Sequence, residues 1–351
     1  MNRLFIPKIA LLVLMGLAGF WGCAPAVIPE ALPETHGFEL TPDIEWARPG
    51  GQSLTMDIYV PKTGKDQYPV LVIFHGGAWL INDKSPMTSM SEYIARHSEY
   101  VICNVNYRLL VDQGNTVTMD QIIEDAMGAV LWVKDHIAAY KGDPSRVMVT
   151  GDSAGGHLAS MVVLCGRKLE SDGFSGPTLG FKPTYLSEGQ TAEQVAANGG
   201  LEVQAAILSY AAYDIYAAAL GGFEDEGNFF WSFAQSTARG LFGNSINVQE
   251  HPEHYKAVSP IYNMPDSSER RLPPQLCTAG SEDELITPPS VQSFVNLLTE
   301  NGHQAEYWEH EGRPHAFLDG GQNEFLGTEF VKDAIPALER MIRFMDQVMT
   351  E

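Results

Sequence analysis

The sequence predicts an α/β fold in which a mostly parallel central sheet is covered on both faces by helices. Strand-like and helix-like segments alternate along the chain, and two of the strand-like segments are nearly continuous apolar runs. Such runs are typical of parallel strands buried on both faces, because a strand that faces water alternates apolar and polar residues. At 351 residues, the chain is also long enough for one large domain with a well-buried core.

Seven strand-like runs and three helix-like segments carry this pattern. The strand-like runs are residues 53–60, 69–77, 100–108, 146–153, 203–210, 273–280 and 305–312. The helix-like segments are residues 119–140, 154–169 and 330–349. The first run alternates apolar and polar residues and predicts an edge strand of a hairpin, whereas the next two are apolar enough to be buried.

Two long excursions interrupt the alternation after the middle strands. Residues 170–202 are polar and contain glycine and proline, and residues 211–271 include the aromatic stretch FFWSFAQSTARGLF. Loops of this length inside a compact domain are usually functional lids or insertions. We therefore expect cap or lid insertions here, with the aromatic residues around Phe229 to Trp231 serving either as a lid or as core.

The first residues indicate export. Arg3 and Lys8 precede the apolar run 9–22, which is too short to span a bilayer but has the length of a signal peptide. Cys23 closes that run, as in bacterial lipoprotein signals that are cleaved before a lipidated cysteine. Simple secretion stays open, because Phe20 and Trp21 are bulkier than such signals prefer.

These signals divide the chain into three parts. We expect a signal peptide over residues 1–22, a Pro-rich tether or N-terminal segment over 23–50, and a catalytic domain over 51–351. The predicted location is the bacterial periplasm or cell surface, with a lipid anchor at Cys23 or else free secretion.

The net charge and the spacing of the cysteines and histidines limit which partners and ligands the protein could bind. Forty-four acidic and 22 basic residues give a formal net charge of −22, which would repel a phosphate backbone and argues against nucleic acid. Cys103, Cys165 and Cys277 lie in apolar runs without metal-type spacing, so we interpret them as buried thiols. His251 and His254 have a ligand-like spacing, but Pro252 lies between them and no further ligand converges in sequence.

Residues 151–155 (GDSAG) fit the pattern G-x-S-x-G of a nucleophile elbow. An apolar strand precedes them and a helix follows, which is the context that this turn requires. The small neighbours matter because the serine of such an elbow lies on a sharp, strained turn where bulky side chains would clash. The pattern predicts Ser153 as a nucleophile.

A hydroxyl needs a base and an acid that orients the base, and both are expected after later strands. Asp283 follows the run 273–280, although Glu282 beside it and Asp214 after the preceding strand are rivals. An acid that follows Ser153 in the chain fits the order Ser, Asp, His in which a nucleophile elbow and its two partners occur along a sequence.

His315 follows the run 305–312 and is the candidate base. Two other histidines are close in sequence, but His310 lies inside the strand pattern. His303 lies at a helix end, where a histidine is commonly a solvated cap.

The stretch HGGAW at residues 75–79 is interpreted as an oxyanion loop. Gly76 and Gly77 follow a strand and would let backbone N–H groups approach a substrate oxygen without an intervening Cβ. The N–H of Ala154, the residue after the nucleophile, would complete the hole. His75 is expected to hold this loop by hydrogen bonds rather than to act as a base.

Five motifs together resemble the α/β-hydrolase esterases of the hormone-sensitive-lipase and carboxylesterase-like group. They are HGGAW (75–79), NYRL (106–109), GDPSRVMVTGDSAGGHLA (142–159), GSEDEL (280–285) and PHAF (314–317). The resemblance spans residues 50–350 and implies a triad of Ser153, Asp283 and His315, with oxyanion donors at Gly76, Gly77 and Ala154. It also implies hydrolysis of carboxylic esters without a cofactor.

This sequence departs from the family pattern at the oxyanion loop, at the candidate base and before the first strand, so the family's structure at these places cannot be transferred directly. Ala78 stands where the family often has a third glycine, and HAF where it often has HGF. The short segment after Cys23 leaves too little chain for a large N-terminal cap, which is more similar to the smaller secreted esterases, including acetyl and feruloyl carbohydrate esterases.

We therefore expect a serine carboxylesterase acting on short-chain acyl esters, including acetyl or feruloyl groups on carbohydrate. The alternatives are a secreted serine peptidase or amidase of the same fold, and a non-catalytic binding protein that retains the fold.

Overall fold

An eight-stranded sheet runs through the computed structural model, which describes residues 36–324 and 326–350. Its strands are β1 (Phe38–Ala47), β2 (Leu54–Pro61), β3 (Tyr68–Phe74), β4 (Val101–Val105), β5 (Gly142–Asp152), β6 (Ala206–Ser209), β7 (Gln275–Gly280) and β8 (Ala305–His310). The order across the sheet is β1-β2-β4-β3-β5-β6-β7-β8. Strands β3 to β8 are parallel, and β2 pairs antiparallel with β1 and β4.

Helices connect the parallel strands and cover both faces of the sheet. They are α1 (Thr88–His97), α2 (Asp112–Asn115), α3 (Met119–His136), α4 (Ala154–Cys165), α5 (Ala192–Ala197), α6 (Ile215–Leu220), α7 (Phe229–Phe233), α8 (Pro252–Ala257), α9 (Pro288–Glu300) and α10 (Ile335–Thr350). A short hairpin of β9 (Gln322–Asn323) and β10 (Thr328–Glu329) precedes α10.

Alternate residues of β3 show that the sheet is buried on both faces. Val70, Val72 and Phe74 belong to the core shared with α3, α4 and α9. Leu71 and Ile73 point the other way and are equally buried, on the face where α1 packs against β2 and β4 and also contacts α10. The predicted α/β fold is confirmed, and each predicted strand overlaps an observed one.

The N-terminal edge of the sheet differs from the prediction. The sequence predicts a tether or N-terminal segment over residues 23–50, but residues 38–47 form β1, and β2 is therefore an inner strand rather than the edge. Pro42 and the register shift between Thr41 and Ile44 explain why the pattern was missed, because an edge strand tolerates proline and bulges that break the alternation.

The two predicted excursions coincide with the long connections on either side of β6. The first, between α4 and β6, carries α5, and the second, between β6 and β7, carries α6, α7 and α8. Within α7, Trp231 is buried, whereas Phe229 and Phe233 are more than half exposed. The aromatic stretch therefore divides between core and surface.

The predicted signal peptide and Cys23 lie outside the residues that the structure describes. None of the helices that the structure describes is long and apolar enough to cross a membrane. Cys103, Cys165 and Cys277 are buried free thiols, as predicted.

Candidate active site

Ser153 lies on a sharp turn between β5 and α4. Its backbone angles are φ 50° and ψ −115°, a combination that L-residues seldom adopt. Such a conformation costs about 1 to 3 kcal/mol and persists only where the surrounding structure holds it. The turn separates the Ser153 side chain from the sheet and from the helix, which is the geometry of a nucleophile elbow.

The glycines on either side of Ser153 are required by close backbone contacts. A Cβ at Gly151 would lie 2.2 Å from the carbonyl carbon of Gly155. A Cβ at Gly155 would lie 1.9 Å from the carbonyl oxygen of Phe74 at the end of β3. The pattern G-x-S-x-G thus lets α4 start directly against the neighbouring strand.

The structure brings Ser153, His315 and Asp283 into one hydrogen-bonded row. The Ser153 hydroxyl lies 2.9 Å from Nε2 of His315, and Nδ1 of His315 lies 2.7 Å from Oδ2 of Asp283. The other carboxylate oxygen of Asp283 accepts the N–H groups of Leu285 and Ile286 at 2.9 and 2.8 Å. These bonds hold the buried acid in one orientation, so that His315 presents Nε2 to the serine.

None of the rival residues reaches this row. Asp214 caps helix α6 by accepting the N–H of Ala217, and Glu282 is exposed. His310 belongs to β8 and donates from Nε2 to the carbonyl of Asp333.

His303 differs from the expectation of a solvated cap. It is 4% exposed, accepts the N–H of Leu272 and donates to the carbonyl of Pro265. Its role is to join two segments before β7, because burial requires both ring nitrogens to find partners.

The acid loop (residues 281–287, after β7) and the histidine loop (residues 311–321, after β8) are hydrogen-bonded to each other. The N–H of Glu282 donates to the carbonyl of Arg313, and a Cβ at Gly280 would lie 2.1 Å from that same oxygen. The Arg313 guanidinium pairs with the buried Asp333 at 2.9 Å. The Tyr210 ring then packs edge-on against the His315 ring with centroids 4.8 Å apart. Together these contacts fix the imidazole relative to the carboxylate.

The oxyanion loop is a tight turn with several residues in the left-handed region. Gly77, Ala78 and Trp79 have φ values of 120°, 52° and 60°, and the Gly77 carbonyl accepts the N–H groups of Leu80 and Ile81. A Cβ at Gly77 would lie 2.3 Å from the carbonyl oxygen of Ile81, so only glycine fits there.

Of the predicted donors, Gly76 lies directly against the Asp152 carboxyl, since a Cβ at Gly76 would be 2.3 Å from Oδ2 of Asp152. Within the described part of the chain, the N–H groups of Gly77, Ala78 and Ala154 have no protein acceptor. Sequence reasoning did not name Ala78, although its position two residues after Gly76 could have suggested it.

His157 and His75 support the loop from within the protein. The Trp79 indole donates to Nδ1 of His157 at 3.1 Å, and Nε2 of His157 donates to the carbonyl of Val258. His75 donates to the carbonyl of Gly76, as expected of a residue that holds the loop, and stacks on Tyr107. Burial lowers the pKa of each histidine to about 4, so both rings are neutral at pH 7.

Within the described ranges, no group of three or more His, Cys, Asp or Glu side chains could hold a metal ion. His254 lies beside the exposed carboxylate of Glu253 at 3.2 Å.

Residues 56–298, well over half of the chain, match the sequence model of the BD-FAE family. The chain belongs to the BD-FAE family. The matched stretch contains Ser153 and Asp283, and it ends before His315. His315, the candidate base, therefore lies in the part of this BD-FAE protein that follows the matched region.

Curated relatives of this BD-FAE protein are named as esterases. The chain is 26% identical over 268 residues to a probable isoprenylcysteine alpha-carbonyl methylesterase of Arabidopsis thaliana, covering 75% of this chain and 48% of the relative. It is 28% identical over 282 residues to the esterase LipQ of Mycobacterium tuberculosis, covering 79% of this chain and 57% of the relative. The chain thus spans about half the length of the curated relatives it matches.

Solved structures show the fold. A truncated form of a carbohydrate esterase from gut microbiota superposes with a TM-score of 0.64 at 20% identity, covering 91% of this chain and 98% of the other. The BD-FAE protein thus has the α/β-hydrolase fold, as the resemblance implied.

Proposed function

We propose that this protein is a serine carboxylesterase that works through an acyl-enzyme. The single observation that carries the proposal is the hydrogen-bonded row of Ser153, His315 and Asp283 on the strained turn after β5. The names of the curated relatives support hydrolysis of carboxylic esters as the reaction.

The geometry supports a two-step mechanism. His315 Nε2 takes the Ser153 proton as Oγ attacks the ester carbonyl, and Asp283 stabilises the imidazolium that forms. The negative charge on the carbonyl oxygen is met by the free N–H groups of the oxyanion loop and of Ala154. His315 then gives its proton to the leaving alcohol. A water molecule attacks the acyl-enzyme with His315 as base, which releases the acid and restores the Ser153 hydroxyl.

The proposed substrates are esters with short acyl groups, including acetyl or feruloyl groups on carbohydrate. A cleft of about 750 Å³ lies beside the acid loop, and its lining includes Ile286, Tyr213 and Ala212 but neither Ser153 nor His315. It adjoins the nucleophile turn through Ala212, whose N–H donates to the carbonyl of Ser153. This volume is in the range typical of small-molecule sites. The similarity in fold to a carbohydrate esterase favours sugar esters among small substrates.

The test compares wild-type protein with Ser153→Ala on p-nitrophenyl acetate, butyrate, octanoate and palmitate, and on acetylated and feruloylated xylan fragments. We expect turnover of the short esters and a loss of several orders of magnitude in the variant, because the nucleophile is removed without a change in folding. A fully active Ser153→Ala protein would refute the assignment. Preference for emulsified palmitate would contradict the short-chain substrate.

The same experiment addresses the alternatives. A folded wild-type protein that is silent on every ester but cleaves an amide would favour a serine peptidase or amidase of this fold. Silence on both classes would favour a non-catalytic binding role.

We also propose that the chain is exported and anchored by lipid at Cys23 in the bacterial periplasm or at the cell surface. Support comes from the basic, apolar and cysteine-terminated order of the first 23 residues. Mass spectrometry of the mature N-terminus tests this, and a cleaved but unlipidated chain would indicate free secretion.

A further inference from the structure

A row of buried polar side chains crosses the sheet directly beneath the candidate active site. Asp152, Ser209 and Thr278 are register partners on β5, β6 and β7, so their side chains share one face of the sheet. Their exposures are 3%, 1% and 1%. Asp152 Oδ1, Ser209 Oγ and Thr278 Oγ1 have no hydrogen-bond partner among the described residues. Buried polar atoms are rarely left this way, so the row is unusual for a sheet interior.

Asp152 connects this row to the oxyanion loop. It immediately precedes Ser153, and its Oδ2 lies so close to Gly76 that a Cβ there would be 2.3 Å away. Burial, the largest effect, raises the pKa of Asp152, whereas the backbone of Gly76 acts on the carboxyl in the opposite direction. The carboxyl therefore lies between the turn that carries Ser153 and the oxyanion loop, in which the N–H groups of Gly77 and Ala78 have no protein acceptor among the described residues.

The surroundings of Asp152 disfavour a negative charge. The other ionisable group that acts on it is Asp319 of the histidine loop, which is itself an acid, and no lysine or arginine of the described residues acts on it. Tyr107 and Tyr210 interact electrostatically with Asp152, and burial raises the pKa of both phenols. A phenol is either neutral or anionic, so neither side chain could neutralise a carboxylate. The nearby His75 is neutral.

The second acid of the pair is Asp319, which also interacts electrostatically with His315. Burial raises the pKa of Asp319 to about 6. Burial and the charge of Asp319 raise the pKa of Asp152 well above the usual range of a carboxyl. Two acids in one poorly solvated space do not readily both lose their protons.

We infer that Asp152 acts as a neutral carboxylic acid and positions the oxyanion loop. Its Oδ2 accepts the Gly76 N–H, and its proton resides on Oδ1, the oxygen that shares the sheet face with the hydroxyls of Ser209 and Thr278. Asp152 is thus a positioning residue, and it does not touch the substrate. The inference rests on the proposed esterase function where it concerns turnover.

The neutral form has a chemical reason. An oxyanion forms on the substrate during attack, and a full negative charge close to the loop that binds it would oppose its formation. A neutral carboxyl supplies the same acceptor for Gly76 without that repulsion. An asparagine offers an amide oxygen and an N–H₂ donor in the same shape and never ionises.

The kinetic test compares wild type, Asp152→Asn and Asp152→Ala over a range of pH on a short p-nitrophenyl ester. We expect Asp152→Asn to keep kcat within a few-fold near neutral pH. In Asp152→Ala we expect kcat to fall about 10²-fold with KM little changed, since misplacing an oxyanion donor affects mainly the transition state. In wild type, kcat should decline on the alkaline side as Asp152 ionises, and in Asp152→Asn that decline should be absent.

Other results would overturn the inference. If Asp152→Asn is as inactive as Asp152→Ala, the negative charge is needed. If wild type and Asp152→Asn share one pH profile, Asp152 does not titrate as the inference requires. Should Asp152→Ala fail to fold, the pH profile of Asp152→Asn still decides the question.

A stability measurement separates this inference from the proposed function. A carboxyl whose pKa is raised by folding stabilises the folded state below its unfolded pKa and loses that contribution as pH rises towards the folded pKa. The melting temperature of Asp152→Asn should therefore exceed that of wild type by a margin that grows above about pH 4. Asp66 is exposed, so Asp66→Asn serves as the control. If the melting-temperature difference from wild type changed equally with pH in both variants, the neutral form of Asp152 would be refuted, even if the protein hydrolysed no ester.

Discussion

At the residue scale, the candidate nucleophile depends on glycines that have no room for a side chain. The strained backbone of Ser153 is held because α4 begins against the end of β3, with Gly155 in contact with Phe74. The contact explains why the small residues of GDSAG were a dependable signal in the sequence, since it is set by backbone atoms alone.

Gly155→Ala tests this contact. We expect the variant to lose several kcal/mol of unfolding free energy, or to fail to fold, because its Cβ would meet backbone that cannot move aside. Urea unfolding followed by circular dichroism measures the change.

The matched control is Gly227→Ala. Gly227 has no atom within 4 Å of the position of an added Cβ and has an ordinary φ. The control should change the unfolding free energy by less than about 0.5 kcal/mol. If both variants were equally stable, the close contact would not be what restricts position 155.

Other residues of the site gave no usable sequence signal. His157 and Trp79 meet only because a loop after β3 folds over α4, 78 residues further along the chain. The close approach of Gly76 to the Asp152 carboxyl is equally non-local. The strand ends predicted that Ser153, Asp283 and His315 would lie close together, because parallel strands bring their carboxyl ends to one edge of the sheet. They did not predict which N–H groups of the oxyanion loop would lack a protein acceptor.

At the element scale, a buried ion pair fastens the first insertion to the body of the protein. Arg108, after β4, binds both carboxylate oxygens of Asp125 on α3, and these side chains are 7% and 0% exposed. Thr184, in the insertion between α4 and β6, donates to the same carboxylate. The pair thus joins a loop, a helix and the insertion at one point.

Asp125→Ala should cost about 3 to 5 kcal/mol of unfolding free energy, because it leaves a buried guanidinium without its partner. Chemical denaturation measures this cost, and hydrogen exchange should show lost protection around residue 184. The comparison is Glu202→Ala, which removes the carboxylate of an exposed ion pair with Arg167. That change should cost no more than about 1 kcal/mol. Similar costs for the two variants would mean that burial does not control the pair.

The elements themselves were predictable to different degrees. Inner strands such as β3 and β4 appear in the sequence as apolar runs because both of their faces are covered. Strand β1 does not, because its edge position leaves many of its residues partly or fully exposed and admits Pro42. The location of the two insertions followed from their length, but the division of α7 between buried Trp231 and exposed phenylalanines depends on packing partners that are remote in sequence.

At the scale of the whole molecule, the formal net charge of −22 acts against the compact state. Added salt shortens the range of that repulsion, from about 30 Å at 0.01 M to about 8 Å at 0.15 M. We expect the melting temperature to rise by a few degrees when NaCl is added over this interval and then to level off. Differential scanning calorimetry at constant pH measures the effect. A melting temperature that falls or stays constant would show that specific surface ion pairs outweigh the general repulsion.

The triad also links distant parts of the chain, because Ser153 and His315 are separated by 162 positions and His315 follows β8, the outermost strand of the sheet. Sheet edges open at lower free energy than sheet centres. Fraying at β8 should therefore displace His315 before the core melts, so the proposed esterase activity should be lost at a lower temperature than that of the spectroscopic transition. The same arrangement orders events during biosynthesis, because a nascent chain that stops short of His315 lacks one member of the hydrogen-bonded row and cannot show the proposed activity until the segment after β8 has been made.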